Sequence, residues 1–176
     1  MAHAELETKN ELLGAMEDDD EGARANKHLL FNIGKESYGL NIADITQIIE
    51  MQRITDVPDM AGYMKGVINL RGKIIPVMDL RLRFGIDERA YDDRNCVIVV
   101  NIDSSIIGLI VDSVAEVHDI RQSDIEPPPE LGTTEERGNY ICGFGKMGEK
   151  VTIIINAQEI LHTKELENIN STVQEV

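Results

Sequence analysis

An all-β fold with short helices, divided into two similar halves, is what this sequence predicts, and three observations carry the prediction. Apolar residues make up 42% of the chain and are mostly Ile, Val and Leu, with no Trp and only 4% aromatics. Such aliphatic side chains, Ile and Val above all, fit the pleated, half-buried surface of a sheet. Short apolar runs alternate with turns containing Gly and Asp, the spacing of small barrels or sandwiches. The third observation is an internal repeat, which names an architecture more sharply than composition does.

The repeat begins without gaps. Asn32 to Ile42 (NIGKESYGLNI) aligns with Asn101 to Val111 (NIDSSIIGLIV), and Ile45, Gln47 and Ile48 then meet Val114, Glu116 and Val117. Each copy reads as a strand, a polar turn, a second strand and a short link into a third. Gly66 to Phe84 (GVINLRGKIIPVMDLRLRF) aligns in the same way with Gly143 to Leu161 (GFGKMGEKVTIIINAQEIL). Each of these segments is an apolar strand, a polar turn with Gly, and a returning apolar strand.

Asp79 and Asn156 follow the returning strands. Their side chains accept hydrogen bonds from the free N–H groups of a helix's first turn, so both read as N-caps. Glu159, three residues after Asn156, resembles a capping box. Short helices are expected near 80–84 and 157–167. The two subdomains fall near 27–90 and 94–160, with strands free to cross between them. The second copy is eight residues longer between its parts, and Glu126-Pro127-Pro128-Pro129-Glu130 fits the extra length. Prolines cannot donate to a ladder and favour an extended, exposed segment. It reads as a stiff loop or, alternatively, a short polyproline ligand.

The 176 residues suffice for one domain or two small ones. A formal net charge of −15 argues against nucleic acid and anionic membrane as partners, since both reward Lys and Arg. Residues 1–26 hold eight acids against two bases, centred on Glu17-Asp18-Asp19-Asp20-Glu21. With little to bury, they read as a disordered tail that either solubilises the chain or tunes partner binding. No run is long enough for a transmembrane helix, and the acidic start is unlike a signal peptide, so a cytoplasmic protein is expected. Met1 and the polar end at Ser171–Val176 suggest a complete chain, with 166–176 as a C-terminal tail. Cys96 and Cys142 sit in apolar strand-like contexts and read as small core residues without a disulfide.

A catalytic centre needs a nucleophile with a base, a carboxylate pair or metal ligands. His3, His28, His118 and His162 are scattered, without HExxH spacing, and there is no CxxC, GxSxG or P-loop. Gly143 to Gly148 fits GxGxxG formally but lies within a hairpin pattern, not between a strand and a long helix. Asp79 follows an apolar strand as a catalytic acid can, yet its repeat partner is Asn156, which has no acid chemistry; capping explains both. No enzyme activity, metal or cofactor is expected. Arg71 and Lys73, at the turn Asn69-Leu70-Arg71-Gly72-Lys73, place two bases on an acidic protein. They read equally as a docking point for a partner's carboxylate or main-chain oxygens and as a solvated turn.

Three ordered blocks carry a family resemblance. Gly62 to Leu80 (GYMKGVINLRGKIIPVMDL) resembles the central motif of CheW domains. Gly108 to Val117 (GLIVDSVAEV) resembles the second block, and Tyr140-Ile141-Cys142-Gly143 with Val151 to Leu161 the third. The resemblance spans about residues 28–165. It implies two intertwined SH3-like five-stranded β-barrels with a hydrophobic seam, and a non-enzymatic adaptor. Such an adaptor binds the cytoplasmic tip of methyl-accepting chemotaxis receptors and the regulatory domain of the histidine kinase CheA, without inserting into the membrane. It implies receptor binding for Arg71, Cys96, Gly108 and Val117. Ile42, Ile45, Gln47 and Gly66 fall in the first barrel's partner interface, and Glu126 and Leu131 in a loop that faces the kinase domain. Cys96 stands where the family often has an aliphatic residue, Gln47 where relatives are often acidic, and Glu126 where a basic residue can occur. The competing readings are the regulatory domain of a longer chemotaxis protein, of CheA or CheV type, and a small β-barrel enzyme.

Overall fold

The structure is a computed structural model and describes residues 6–7, 9–11, 25–128, 140–161 and 163–174. The first copy of the repeat supplies strands β1 (Lys27–Ile33), β2 (Glu36–Asn41), β3 (Ile45–Glu50), β4 (Met64–Leu70) and β5 (Lys73–Asp79). The second supplies β6 (Cys96–Ile102), β7 (Ser105–Val111), β8 (Ser113–Asp119), β9 (Ile125–Glu126), β10 (Ile141–Met147) and β11 (Lys150–Ile155). The strands of the two copies coincide almost residue for residue, with β9 as the addition in the longer second copy.

Pairing does not follow the two copies. One sheet runs β8-β1-β2-β11-β10-β9 and the other β3-β6-β7-β5-β4. The first hairpin of each copy therefore leaves its own copy and enters the sheet built by the rest of the other. The same pattern recurs in both sheets. β2 lies parallel to β11 as β7 lies parallel to β5, and β1 antiparallel to β8 as β6 to β3. Even the register slips recur, at Leu29/Phe31 in β1–β8 and Ile45/Gln47 in β3–β6, and at Met64/Gly66 and Ile141/Gly143 in the later hairpins. The all-β expectation holds, and the intertwining with it. Pairing among the described residues leaves each sheet with two edges instead of closing a ring, and the two-residue β9 brings one sheet to six strands.

Alternation along each strand divides the core, because successive side chains point to opposite faces. Leu29, Phe31, Ile98, Val100, Ile107, Leu109 and Met78 meet in a seam between the sheets. Val97, Val99, Ile110 and Val77 pack on the other face of one sheet, and Leu30 with Ile154 on that of the other. Phe31, Tyr38, Phe84 and Tyr140 stack in a row with centroids 5.0 to 5.8 Å apart, and fasten the seam's end.

The first helix, α1 (Leu80–Arg83), is capped as expected: the Arg81 N–H donates to Asp79 Oδ1 at 2.8 Å. The second is not one helix. Asn156 caps a 3₁₀ turn, Ala157–Glu159, and a separate helix, α2 (Thr163–Gln174), follows. Residues 166–174, expected as tail, are thus helical, with Leu166 and Ile169 buried in the seam. α2 is latched through Glu165. Tyr63 Oη donates to Glu165 Oε1 at 2.7 Å, and Arg83 lies 3.9 Å from Glu165 Oε2 with its guanidinium over the Tyr63 and Tyr140 rings. Desolvation, then the Glu165 contact, pushes the Tyr63 hydroxyl's pKa well up. Three apolar residues, Leu166, Ile169 and Val173, in an otherwise polar segment were too few to announce this helix.

The expected disordered tail is also partly corrected. Residues 6–7 and 9–11 are helical, and Leu6 is 5% exposed, inside the seam cluster. The run Glu17–Glu21, Leu131 and Pro129 lie outside the described residues.

Candidate functional site

With no catalytic motif in the sequence, the surface itself is the candidate site, and the hairpin tips come first. Leu70 pairs with Lys73, which leaves Arg71 and Gly72 as a two-residue turn. Both have positive φ, 54° and 86°, the mark of a type I′ turn that matches strand twist. The Gly72 N–H donates to Asn69 Oδ1 at 2.9 Å and stiffens the turn. Arg71, Lys73 and Ile74 project from it. The equivalent tip, between β10 and β11, carries Lys150 and Val151. Ile74 at 46% and Val151 at 49% are the exposed large apolar residues among those described. Both sit beside a lysine at matching positions of the repeat. Near the second tip Lys146 meets Glu126 at 2.8 Å, an exposed pair that raises the lysine's pKa and contributes little stability.

A second surface lies between the sheets' edges. β3 ends one sheet and β8 begins the other, and they are repeat partners. Val114 and Val117 of β8 pack, half-buried, on the seam. The N-terminal residues reach both strands. Asn10 Nδ2 donates to Ile48 O at 2.7 Å, the Ile48 N–H donates to Asn10 Oδ1 at 2.9 Å, and Lys9 Nζ donates to Val114 O at 3.1 Å. Composition alone missed this dock; the signal was Leu6, Lys9 and Asn10 at the i, i+3, i+4 spacing of one helix face.

The residues singled out from the resemblance divide by burial. Arg71 and Glu126 are exposed, and Val117 and Gln47 half-buried. Ile42, Ile45, Gly66, Cys96 and Gly108 are buried within the chain and shape the surface from beneath. A Cβ on Gly108 would lie 2.7 Å from Val97 and 2.9 Å from Val77, so this glycine lets neighbouring strands pack. The Cys96 thiol donates to Arg94 O at 3.3 Å. Arg71 stands at the β4–β5 tip of one sheet and Val117 on β8 of the other.

Cys142 departs from expectation. It is exposed and lines a cleft of about 590 Å³ with His28, Asn41, Asp44, Gln122 and Asn156. It lies on β10 beside the bulge, where the strand's alternation slips. Partial desolvation against the cleft wall, with Asp44 and Glu159 nearby, raises its pKa and keeps it a thiol, a poor nucleophile. His28 Nδ1–H donates to Asn26 O at 2.9 Å, and desolvation lowers its pKa below the usual 6.5. The unfolded chain therefore takes up a proton as pH falls through 6.5 while the folded one resists, and stability declines below that pH. Above it both states are neutral and the penalty vanishes. Denaturation midpoints compared at pH 7 and 5 should show a smaller acid loss in His28→Gln than in the parent chain; equal losses would refute the assignment.

No helix among the described residues is long and apolar enough to cross a membrane, and they contain no cluster of three metal-ligating side chains. Comparison with known proteins completes the picture. The CheW-like domain family model matches residues 27–165. The chemotaxis protein CheW of Klebsiella aerogenes is 32% identical over 146 residues, covering 83% of this chain and 87% of that protein. CheW of Helicobacter pylori is 33% identical over 148 residues, covering 84% and 87%. The crystal structure of the scaffolding protein TtCheW from Thermoanaerobacter tengcongensis superposes with a TM-score of 0.68 at 41% identity, covering 74% of this chain and 88% of that one. Relatives matched over most of their own length favour the adaptor reading over a domain of a longer CheV-type protein. The family match over most of the chain, the repeat-swapped sheets and the structural likeness agree: the chain belongs to the CheW-like domain family of chemotaxis proteins.

Proposed function

We propose that this chemotaxis adaptor joins the cytoplasmic tip of methyl-accepting receptors to the regulatory domain of the kinase CheA, by binding alone and without catalysis. The observation that carries the reading is the pair of repeat-related hairpin tips, each with an exposed apolar residue beside a lysine. A molecule with two similar sticky ends is suited to hold two partners at once, which turns their encounter into a high local concentration. In this reading the tip with Val151, near Glu126, faces the kinase, and Leu131, which lies outside the described residues, is assigned to the same interface. Receptor helices lay apolar side chains along the groove that Val117 lines, and Arg71 supplies donors to a receptor carboxylate or main-chain oxygen. Gln47 and the buried Ile42, Ile45, Gly66, Cys96 and Gly108 set the shape of these surfaces. The work is done at the cytoplasmic face of the membrane, without insertion.

Titration with a soluble receptor-tip hairpin and with a CheA regulatory domain tests the proposal, and binding of neither would overturn it. Arg71→Glu sharpens the receptor arm. Arg71 is exposed, and its side chain makes no hydrogen bond or ion pair among the described residues, so the variant should keep its fold by circular dichroism. Its receptor affinity should fall about tenfold or more, the size of one lost charge-assisted hydrogen bond. Parental affinity would defeat the assignment.

A further inference from the structure

The groove between β3 and β8 is already occupied by the chain's own N-terminal helical residues. We propose that this segment holds the place of a receptor helix and must be displaced for the receptor to bind, an inference that rests on the receptor reading above.

The contacts are those of a strand-edge plug. A residue of an antiparallel edge strand that makes no ladder bonds turns both its N–H and C=O outward. Ile48 of β3 is such a residue, and the Asn10 carboxamide satisfies both groups at 2.9 and 2.7 Å, as a neighbouring peptide would. Exposed strand edges invite pairing with another chain, and natural proteins cover them. One turn earlier, Leu6 enters the seam cluster at 5% exposure. Between the two, Lys9 reaches across to Val114 of β8. Leu6 and Asn10 occupy one helix face, with an apolar anchor at i and a polar clamp at i+4. The groove thus accepts a helix of that pattern, here supplied in cis.

The remaining segment to the first strand is acidic and tethers this helix close to its site. An intramolecular occupant lowers the apparent affinity of an external one by the fraction of molecules in which the groove is open. Few side chains hold it: Leu6 as apolar anchor, with the hydrogen bonds of Lys9 and Asn10. That suits a displaceable occupant.

The test uses the full chain and two variants, Asn10→Asp and Leu6→Asp. Asn10→Asp removes the donor to Ile48 O and places a carboxylate against it; Leu6→Asp removes the apolar anchor. Amide hydrogen exchange at Ile48 reports occupancy, and should quicken about tenfold or more in either variant. Titration with a soluble receptor-tip hairpin reports competition, and affinity should rise about three- to tenfold in both variants. Faster exchange with unchanged or weaker hairpin binding would reduce the segment to a structural brace and overturn the inference. So would unchanged exchange in both variants. A hairpin that binds neither parent nor variants defeats the receptor reading, and this inference with it.

Discussion

Gly66→Ala should lose about 3 kcal/mol or more of stability, the cost of a clash that backbone cannot relieve added to a strained φ. A Cβ at Gly66 would lie 2.1 Å from Thr55 O, and its φ is 139°, where side chains are rarely tolerated. Thr55 cannot retreat cheaply, because it exchanges two hydrogen bonds with Val67, at 2.8 and 2.9 Å. In a chain of this size, 3 kcal/mol is roughly 6–12 °C in the melting midpoint. Gly143, its repeat partner, would place a Cβ 2.3 Å from Glu126 O without a positive φ, and should bear only the clash part of that cost. Gly148 is the control. Its φ is 65° but nothing lies within 4 Å, so Gly148→Ala should cost only about 1–2 kcal/mol. Chemical denaturation of the three variants checks the ranking; equal losses at Gly66 and Gly148 would remove the close approach as the cause.

Asp112→Ala should cost about 3 kcal/mol, because removing one member of a buried ion pair strands the other. Asp112 Oδ2 accepts from the Gly34 N–H at 2.8 Å and from Arg81 Nη1 at 2.6 Å, with Arg89 3.7 Å away. Its side chain is 8% exposed and that of Arg81 13%. The carboxylate stands at the β7–β8 junction and ties the β1–β2 turn to helix α1, so it fastens elements of both copies. Replacing both partners, in Asp112→Ala with Arg81→Met, should cost less than the sum of the single changes. A double-mutant cycle on denaturation free energies reads the coupling, and a strictly additive result would show that the pair does not act as a unit.

The local features were legible because they depend on neighbours in the chain. The repeat marked the strands, the Asp79 and Asn156 positions marked the caps, and Arg71-Gly72 marked a turn. The misses have one origin. Residues 6–11 and α2 each fold against distant surfaces through two or three side chains, which an average over an acidic or polar segment hides. Cys142 looked like core because its neighbours are apolar, and a bulge in β10 accompanies its exposure.

By itself the sequence determined the all-β class, the duplication and the family. It did not determine which copy each hairpin joins. Two homologous halves offer nearly the same edge to β1–β2, and to β6–β7, so local pattern cannot choose between them. The tertiary structure chose the exchange, which sets β3 and β8 at the edges of two sheets around one seam. Strand partners, and the groove they leave, are set by packing between residues far apart in the chain. That is why the placement of these edges emerged only when the sheets were assembled.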